Sequence, residues 1–351
     1  MSAQRNSDSV PAASSSSWQS ARLLVTDEFA APPVILRVGD SVIGTLGNFS
    51  ASTGKAKSKK TFNVCAIVAA AMTGGTVLNY SASLPPRKRR ILYVDTEQSR
   101  FHCKRVLCRI LRLAGLPTDA HPPLLEFLCL RGYATKERLR KIEEAIYDLD
   151  DLGLVVIDGI RDLAHDINSP GEATDLITKL MQWTDERRIH IHTVLHLNKG
   201  DDNTRGHLGT ELNNKAETVL QITKDDFDRD ISSVAAMHIR DRDFEPFAFR
   251  INADALPEQV EDYQLRQTTA AKSFDYAEVC EAKHREALEL LFSKADRVSY
   301  SSLIGRLQSS YASIGHSFGI NKAKQLKVFL ENKRMIVKED KFYRYNPDFH
   351  Y

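Results

Sequence analysis

Hydrophobic positions along this chain change their period repeatedly. Between Ala31 and Asn252, short unbroken apolar runs alternate with longer stretches at helical spacing. Ile91–Val94, Leu125–Leu130, Leu152–Ile157 and Ile189–Leu197 read as buried strands. Ser99–Leu113, Thr135–Leu149 and Gly171–Arg187 read as helices, with Thr135 at an N-cap position and Glu137 in the first turn. Phe62–Met72 is apolar and alanine-rich, long enough for a buried helix, and Ser41–Ser50 before it reads as one strand with glycines. Repeated βα units predict an α/β fold, a mostly parallel sheet with helices on both faces. Ligands bind such sheets at the carboxyl ends of the strands.

The two ends of the chain differ from this middle. Met1–Ser20 is rich in Ser and Ala, and residues 1–30 are expected to form a flexible arm ahead of a domain over 31–263. Trp18, Leu23, Leu24 and Val25 are expected to pack locally on the core, the alternative being docking on a neighbouring subunit. A polar linker over 264–275 precedes a small domain over 276–351. There Tyr276–Ser293, Tyr300–Tyr311 and Ile320–Asn332 read as helices, and Met335–Val337 and Phe342–Tyr345 as strands around Lys338–Lys341. Three helices followed by a hairpin is the winged-helix arrangement, in which a helix enters the DNA major groove and the wing meets the backbone. Along Ile320–Asn332, the positions Ile320, Ala323, Leu326, Val328 and Leu330 are expected inward, and Lys322, Lys324 and Lys327 outward. These lysines, with Lys338 and Lys341, are candidate DNA contacts.

Charge sharpens that expectation. The 351-residue chain has a net charge of only +2. From Lys283 onward, however, thirteen Lys/Arg stand against seven Asp/Glu, a net of +6 that favours phosphate contacts. No apolar run reaches the roughly 18 residues of a membrane span, and no charged-then-apolar leader opens the chain. The five cysteines, Cys65, Cys103, Cys108, Cys129 and Cys280, show no C-x-x-C pair, which suits reduced thiols and predicts a cytoplasmic protein without membrane partners.

The candidate chemistry lies between the first long strand and the alanine-rich helix. Gly54-Lys55-Ala56-Lys57-Ser58-Lys59-Lys60-Thr61 fits the phosphate-cradling pattern G-x-x-x-x-G-K-[ST] except at Lys59, which stands at the second glycine. Backbone N–H groups and the helix N-terminus would face the phosphates of ATP, with Phe62 beside them. Lys60 would reach the β- and γ-phosphates, and the Thr61 hydroxyl would ligate Mg²⁺. Helical φ/ψ are expected at Lys59, because the position opens the helix. Two strand ends downstream carry acids. Asp158 closes Leu154–Ile157 and would hold Mg²⁺ through water. Asp95 and Glu97 follow Ile91–Val94, where a carboxylate could position the attacking water.

In this order the parts resemble the RecA/DnaB-type ATPases, and in particular the RepA-like ATPases of plasmids and mobilizable elements of Bacteroidetes, whose phosphate loops carry a similar lysine-rich run. The resemblance spans Val34–Asn252. It implies Glu97 as catalytic base and His196, in His196-Leu-Asn-Lys199, as a γ-phosphate sensor. It also implies a DNA-binding loop over Gly200–Gly209, with Lys199 and Arg205 as contacts. His238-Ile-Arg240 is similar to the element whose arginine enters the neighbour's ATP site in an oligomeric, often ring-shaped assembly. His238 departs from the lysine usual there. The implied function is an ATPase of helicase, translocase or loader type, acting on DNA with other mobilization or replication proteins; the alternative is a nucleotide-gated DNA-binding regulator without motor activity.

Overall fold

The structure is a computed structural model that describes residues 17–197, 204, 206–225, 228–261, 263, 276, 277 and 279–349. The chain divides into two compact units, Met1–Leu265 and Arg266–Tyr351.

In chain order the first unit contains β1 (Val34–Val38), β2 (Ser41–Thr45), β3 (Phe49–Gly54), α1 (Lys60–Thr73), β4 (Thr76–Val77), β5 (Tyr80–Ala82), β6 (Arg90–Asp95) and α2 (Arg100–Leu113). It continues with β7 (Leu125–Cys129), α3 (Thr135–Asp148), β8 (Leu152–Asp158), α4 (Pro170–Arg187), β9 (His190–His196) and α5 (Gly206–Lys215). β10 (Thr218–Lys224), β11 (Ile231–Ile239), β12 (Phe247–Ile251) and β13 (Pro257–Val260) complete it. The single strand expected over Ser41–Ser50 is two: the chain turns at Leu46–Asn48, leaving β2 in a small four-stranded sheet (β2-β1-β5-β4) and β3 in the central one.

The central sheet is ordered β13-β12-β11-β10-β3-β9-β8-β6-β7. From β10 to β7 every neighbouring pair is parallel, and β11, β12 and β13 extend the sheet antiparallel. The fold is therefore the α/β, mostly parallel sheet that the βα alternation predicts. Both faces are covered, which explains the unbroken apolar strands. In β6, Ile91 and Tyr93 join the core under α1 and α2, while Leu92 and Val94 join the one under α3 and α4, following the two-residue period of a strand. α1 is apolar nearly all round and buried along most of its length, and Gly74 closes it in a left-handed C-cap with its N–H on the Ala70 carbonyl.

A polar chain runs through the middle of this apolar sheet. His190 Nδ1 meets the Thr45 carbonyl at 2.9 Å, so it must donate. His190 Nε2 is then an acceptor, and Ser50 Oγ donates to it at 2.7 Å. Ser50 Oγ accepts from His192 Nδ1 at 2.8 Å, and His192 Nε2 accepts from Ser52 Oγ at 2.9 Å. One backbone carbonyl thus fixes the tautomer of both rings and the direction of every hydrogen in the chain. All four side chains are fully buried, and burial pushes His190 down to about 4 and His192 to about 3. The chain fastens β3 to β9 in the register that pairs Gly54 with His196.

Trp18, Leu23, Leu24 and Val25 do not pack on the core as expected; they are exposed, at 61%, 73%, 44% and 104%.

The second unit holds α6 (Glu281–Phe292), β14 (Val298–Ser299), α7 (Tyr300–Ser313), α8 (Ile320–Asn332), β15 (Ile336–Glu339) and β16 (Phe342–Tyr345). Its three strands are ordered β14-β16-β15 and antiparallel. Leu288, Leu303, Leu307, Tyr311, Leu326 and Leu330 form its core. Ile320 and Val328, expected inward, are about half exposed, because three helical turns present only Ala323, Leu326 and Leu330 squarely to that core.

Candidate nucleotide-binding site

The register of the parallel strands sets their carboxyl ends side by side. Gly54 pairs with His196, Asp158 with Val194, and Asp95 with Asp158. The loop after β3 rises here into α1. A Cβ on Gly54 would lie 2.3 Å from the Ile222 carbonyl oxygen and 2.6 Å from Ser58 Oγ, so only glycine fits at the loop's base. Lys55, Ala56 and Lys57 are exposed around the outside of the loop. Lys57 and Lys59 both hold left-handed backbone, φ 65° and 68°. Helical φ/ψ were expected at Lys59; its ψ is 29° and it lies just outside α1, as the N-cap. Its ammonium donates to the Asp230 carbonyl at 2.5 Å.

Lys60 points the other way. Its ammonium is buried and donates to the carbonyls of Gly54 at 2.8 Å and Lys55 at 3.0 Å, and to His196 Nδ1 at 3.0 Å. Burial pulls Lys60 down to about 8, against the opposing pull of Asp158 and Glu97. His196 accepts at Nδ1 and therefore turns Nε2–H toward Glu97 Oε1, 3.7 Å away, beyond a direct hydrogen bond. The His196 ring beside Glu97 is nevertheless the main influence that holds its carboxyl below the usual range, outweighing partial burial.

Asp158 stands opposite. Its Oδ2 accepts from Thr61 Oγ1 at 2.8 Å and from Tyr93 Oη at 2.8 Å. Burial, then the nearby Asp95, pushes Asp158 up to about 6. Asp95 shapes the turn carrying Glu97: its Oδ1 accepts from the Glu97 and Gln98 amides at 3.0 and 2.7 Å. Gly159, at φ 108°, leaves the room Glu97 occupies, since a Cβ there would lie 2.8 Å from Glu97 Oε1.

Lys57, Lys59, Lys60, Thr61, Glu97, Asp158 and His196 line a cleft of about 370 Å³, together with Phe62, Arg105 and Arg109. The Arg109 guanidinium sits 3.8 Å over the Phe62 ring. A larger, mostly apolar cleft of about 820 Å³ between α3 and α4 contains none of them. The residues fit ATP and Mg²⁺. Ser58 Oγ, within the loop, is buried with no partner, and the Lys60 side chain is buried as well. Thr61 and Asp158 offer the hard oxygen donors that Mg²⁺ takes.

Lys60, Thr61, Phe62, Glu97, Asp158 and His196 are thus brought together. Arg240 is not. It follows β11 at the end of the strands away from the cleft, where Ile239 pairs with Thr218 and Thr218 with Ser50 near the start of β3; it is exposed, with its Nη2 on the Lys215 carbonyl at 3.1 Å. Lys199 and Arg205 lie outside the described residues. On the second unit, Lys324, Lys338 and Lys341 are exposed and Lys322 partly so, its ammonium 5.0 Å over the Tyr276 ring. Lys327 does not project as expected. It pairs with Glu331 one turn on and lies over the Tyr343 ring, so the domain's own carboxylate and aromatic face occupy the cation. Sequence reasoning missed Tyr93, Gly159, Arg105 and Arg109. Tyr93 carries a faint signal, two residues before Asp95 on the same strand face, and the two arginines stand at i, i+4 on a helix starting beside Glu97.

A strand–loop–helix cradle facing a strand-end aspartate, on a mostly parallel sheet, defines a P-loop nucleoside-triphosphatase domain. The chain belongs to the AAA domain family, which it matches over residues 20–202. No curated protein sequence matches it. Among solved structures it is similar to the RadB recombinase, at 18% identity and a TM-score of 0.44, over 61% of this chain and 91% of that one. It is also similar to the KaiC-like protein PH0186 from the hyperthermophilic archaeon Pyrococcus horikoshii OT3, at 14% identity and a TM-score of 0.43, over 61% and 90% of the two chains.

Proposed function

We propose that this protein is an oligomeric ATPase of RecA/RepA type that acts on DNA in the replication or mobilization of a mobile genetic element. The observation that carries the reading is the convergence of Lys60, Thr61, Asp158, Glu97 and His196 at one strand edge, with Thr61 and Asp158 in hydrogen-bond contact. Lys60 brings a buried positive charge to the β- and γ-phosphates. Thr61 and, through water, Asp158 would hold Mg²⁺, which when bound neutralises charge on the transferred phosphoryl group. Glu97, kept ionised, orients the attacking water and accepts its proton. His196 bridges Lys60 and Glu97 and suits a sensor of the γ-phosphate.

Arg240 stands at the strand ends opposite the cleft of its own chain, and so fits the role of a finger supplied to a neighbour. The exposed Trp18, Leu23 and Val25 suit an arm that docks on that neighbour. The order of helices and strands in the second unit supports reading it as a winged helix, with Lys322, Lys324, Lys338 and Lys341 as its candidate DNA contacts.

Titration calorimetry with Mg-ATP, followed by phosphate release with and without DNA, tests this reading. Wild type is expected to bind and turn over, Lys60→Ala to lose binding, and Glu97→Gln to bind without turnover. No binding by wild type, or equal binding by Lys60→Ala, ends the ATPase reading. Turnover that survives Glu97→Gln removes Glu97 as base, and wild-type binding without turnover leaves a nucleotide-gated regulator. A monomer by light scattering with ATP and DNA removes the role given to Arg240.

A further inference from the structure

The phosphate loop has a lysine where its pattern calls for glycine, and that lysine has the backbone of a glycine. Lys59 sits at φ 68°, ψ 29°. For a residue with a Cβ this conformation is uphill by roughly 1–2 kcal/mol. The position nevertheless matters to the loop: the Lys59 carbonyl accepts from the amides of Phe62 at 3.0 Å and Asn63 at 3.2 Å, starting α1 immediately behind Lys60 and Thr61. A contact from outside the loop can hold the residue there.

That partner is the turn between β10 and β11, about 170 residues away in sequence. Lys59 Nζ donates to the Asp230 carbonyl at 2.5 Å and lies 3.5 Å from the Arg229 carbonyl. The turn is braced to receive it. Asp225 Oδ1 accepts from the Asp228 amide and Asp228 Oδ1 from the Asp230 amide, both at 2.9 Å. The Ile231 amide bonds the Asp228 carbonyl at 3.0 Å. The amides of Asp228, Asp230 and Ile231 are thus bonded within the described part of the turn, and the carbonyls of Arg229 and Asp230 face Lys59. The direct bonds of the ammonium go to backbone carbonyls, and Lys224, on the adjacent strand, opposes the longer-range attraction of the Asp230 and Asp228 carboxylates.

We propose that Lys59 is a positioning residue, not a phosphate ligand: its ammonium ties the phosphate loop to the β10–β11 turn, and that tie supports the left-handed backbone that glycine would adopt unaided. The proposal rests on reading Gly54–Thr61 as a phosphate loop. It makes the chemistry of residue 59 secondary to its backbone. Glycine at 59 keeps the loop's shape without the tie, alanine keeps neither shape nor tie, and asparagine, which tolerates left-handed φ, falls between them.

The test compares Lys59→Gly, Lys59→Asn and Lys59→Ala in the full chain with two readouts. The first is the Kd for Mg-ATP by calorimetry. Lys59→Gly is expected within about threefold of wild type, and Lys59→Ala weakened about 5- to 30-fold, the strain converted at a factor of ten per 1.4 kcal/mol. The second is hydrogen exchange at the amides of Asp228–Ile231 without nucleotide, which all three variants are expected to accelerate. A lysine that grips phosphate predicts the opposite pattern: glycine and alanine weaken binding equally, and exchange at the turn does not change. Either result overturns the proposal. Should wild type fail to bind Mg-ATP, the phosphate-loop reading falls; the exchange readout, which needs no nucleotide, still decides whether the tie exists.

Discussion

Acidification from pH 7 to pH 5 is expected to destabilise the first unit by about 3 kcal/mol, and the loss originates in two buried rings. In the folded chain His190 and His192 titrate at about 4 and about 3, below the ordinary 6.5, because burial disfavours their charged forms. The unfolded chain therefore binds more protons than the folded one throughout this interval. The stabilising contribution is complete above pH 6.5. It is lost as pH falls, down to about 4 for His190 and about 3 for His192. Integrated from pH 7 to pH 5, each ring costs about 2 kcal/mol. Asp158 works in the other direction. Its folded value is raised to about 6, so the folded state takes up a proton first. That returns about 1 kcal/mol over the same interval in the nucleotide-free protein. Lys60, at about 8, stays protonated in both states across the range and contributes nothing to the difference. Urea unfolding followed by tryptophan fluorescence measures the sum. Trp183 is buried in the first unit, 1% exposed, while Trp18 is exposed and contributes little change. Extrapolated free energies at the two pH values give the difference directly. A stability equal or greater at pH 5 would refute the reasoning, since the rings would then accept protons inside the fold.

Ser50→Ala strips the hydroxyl that both rings share and leaves His190 Nε2 and His192 Nδ1 buried without partners. The same urea assay is expected to show a loss of about 2–4 kcal/mol. Gly54→Ala drives a Cβ into the Ile222 carbonyl, a backbone atom with little freedom to retreat. Calorimetry is expected to show Mg-ATP affinity lost or sharply reduced, with about 1–3 kcal/mol of stability. On the second unit, Lys338→Ala with Lys341→Ala is expected to flatten the salt dependence of duplex-DNA binding by about 0.9 in log–log slope per lost contact. Lys327→Ala, whose cation is already paired with Glu331, is expected to leave that slope unchanged.

The sheet and the cleft were legible in the sequence for different reasons. Strands buried on both faces announce themselves as unbroken apolar runs, and Asp158 and Glu97 are visible because each ends or follows one. The α1 helix is visible because ten of its fourteen positions are buried and most of those are apolar. What stayed hidden depends on partners remote in the chain. The conformation of Lys59 is set by carbonyls at 229 and 230, and the order along β3 and β9 by hydroxyls and rings about 140 residues apart. Helical spacing sends Lys327 outward until Glu331 and Tyr343 are considered, and the shallow turn at Leu46–Asn48 is masked by apolar residues on either side.

The chain through Ser50, His190, His192 and Ser52 also constrains how this sheet could change over evolutionary time. Each member satisfies the next, so losing any one of them strands a buried donor or acceptor. Replacing all four with apolar groups of similar shape removes donors and acceptors together and can be nearly neutral. The path between those two cores therefore passes through intermediates less stable than either end. Such a set behaves as one inherited unit: lineages that share this pair of strands are expected to keep the four residues together or to have exchanged them together.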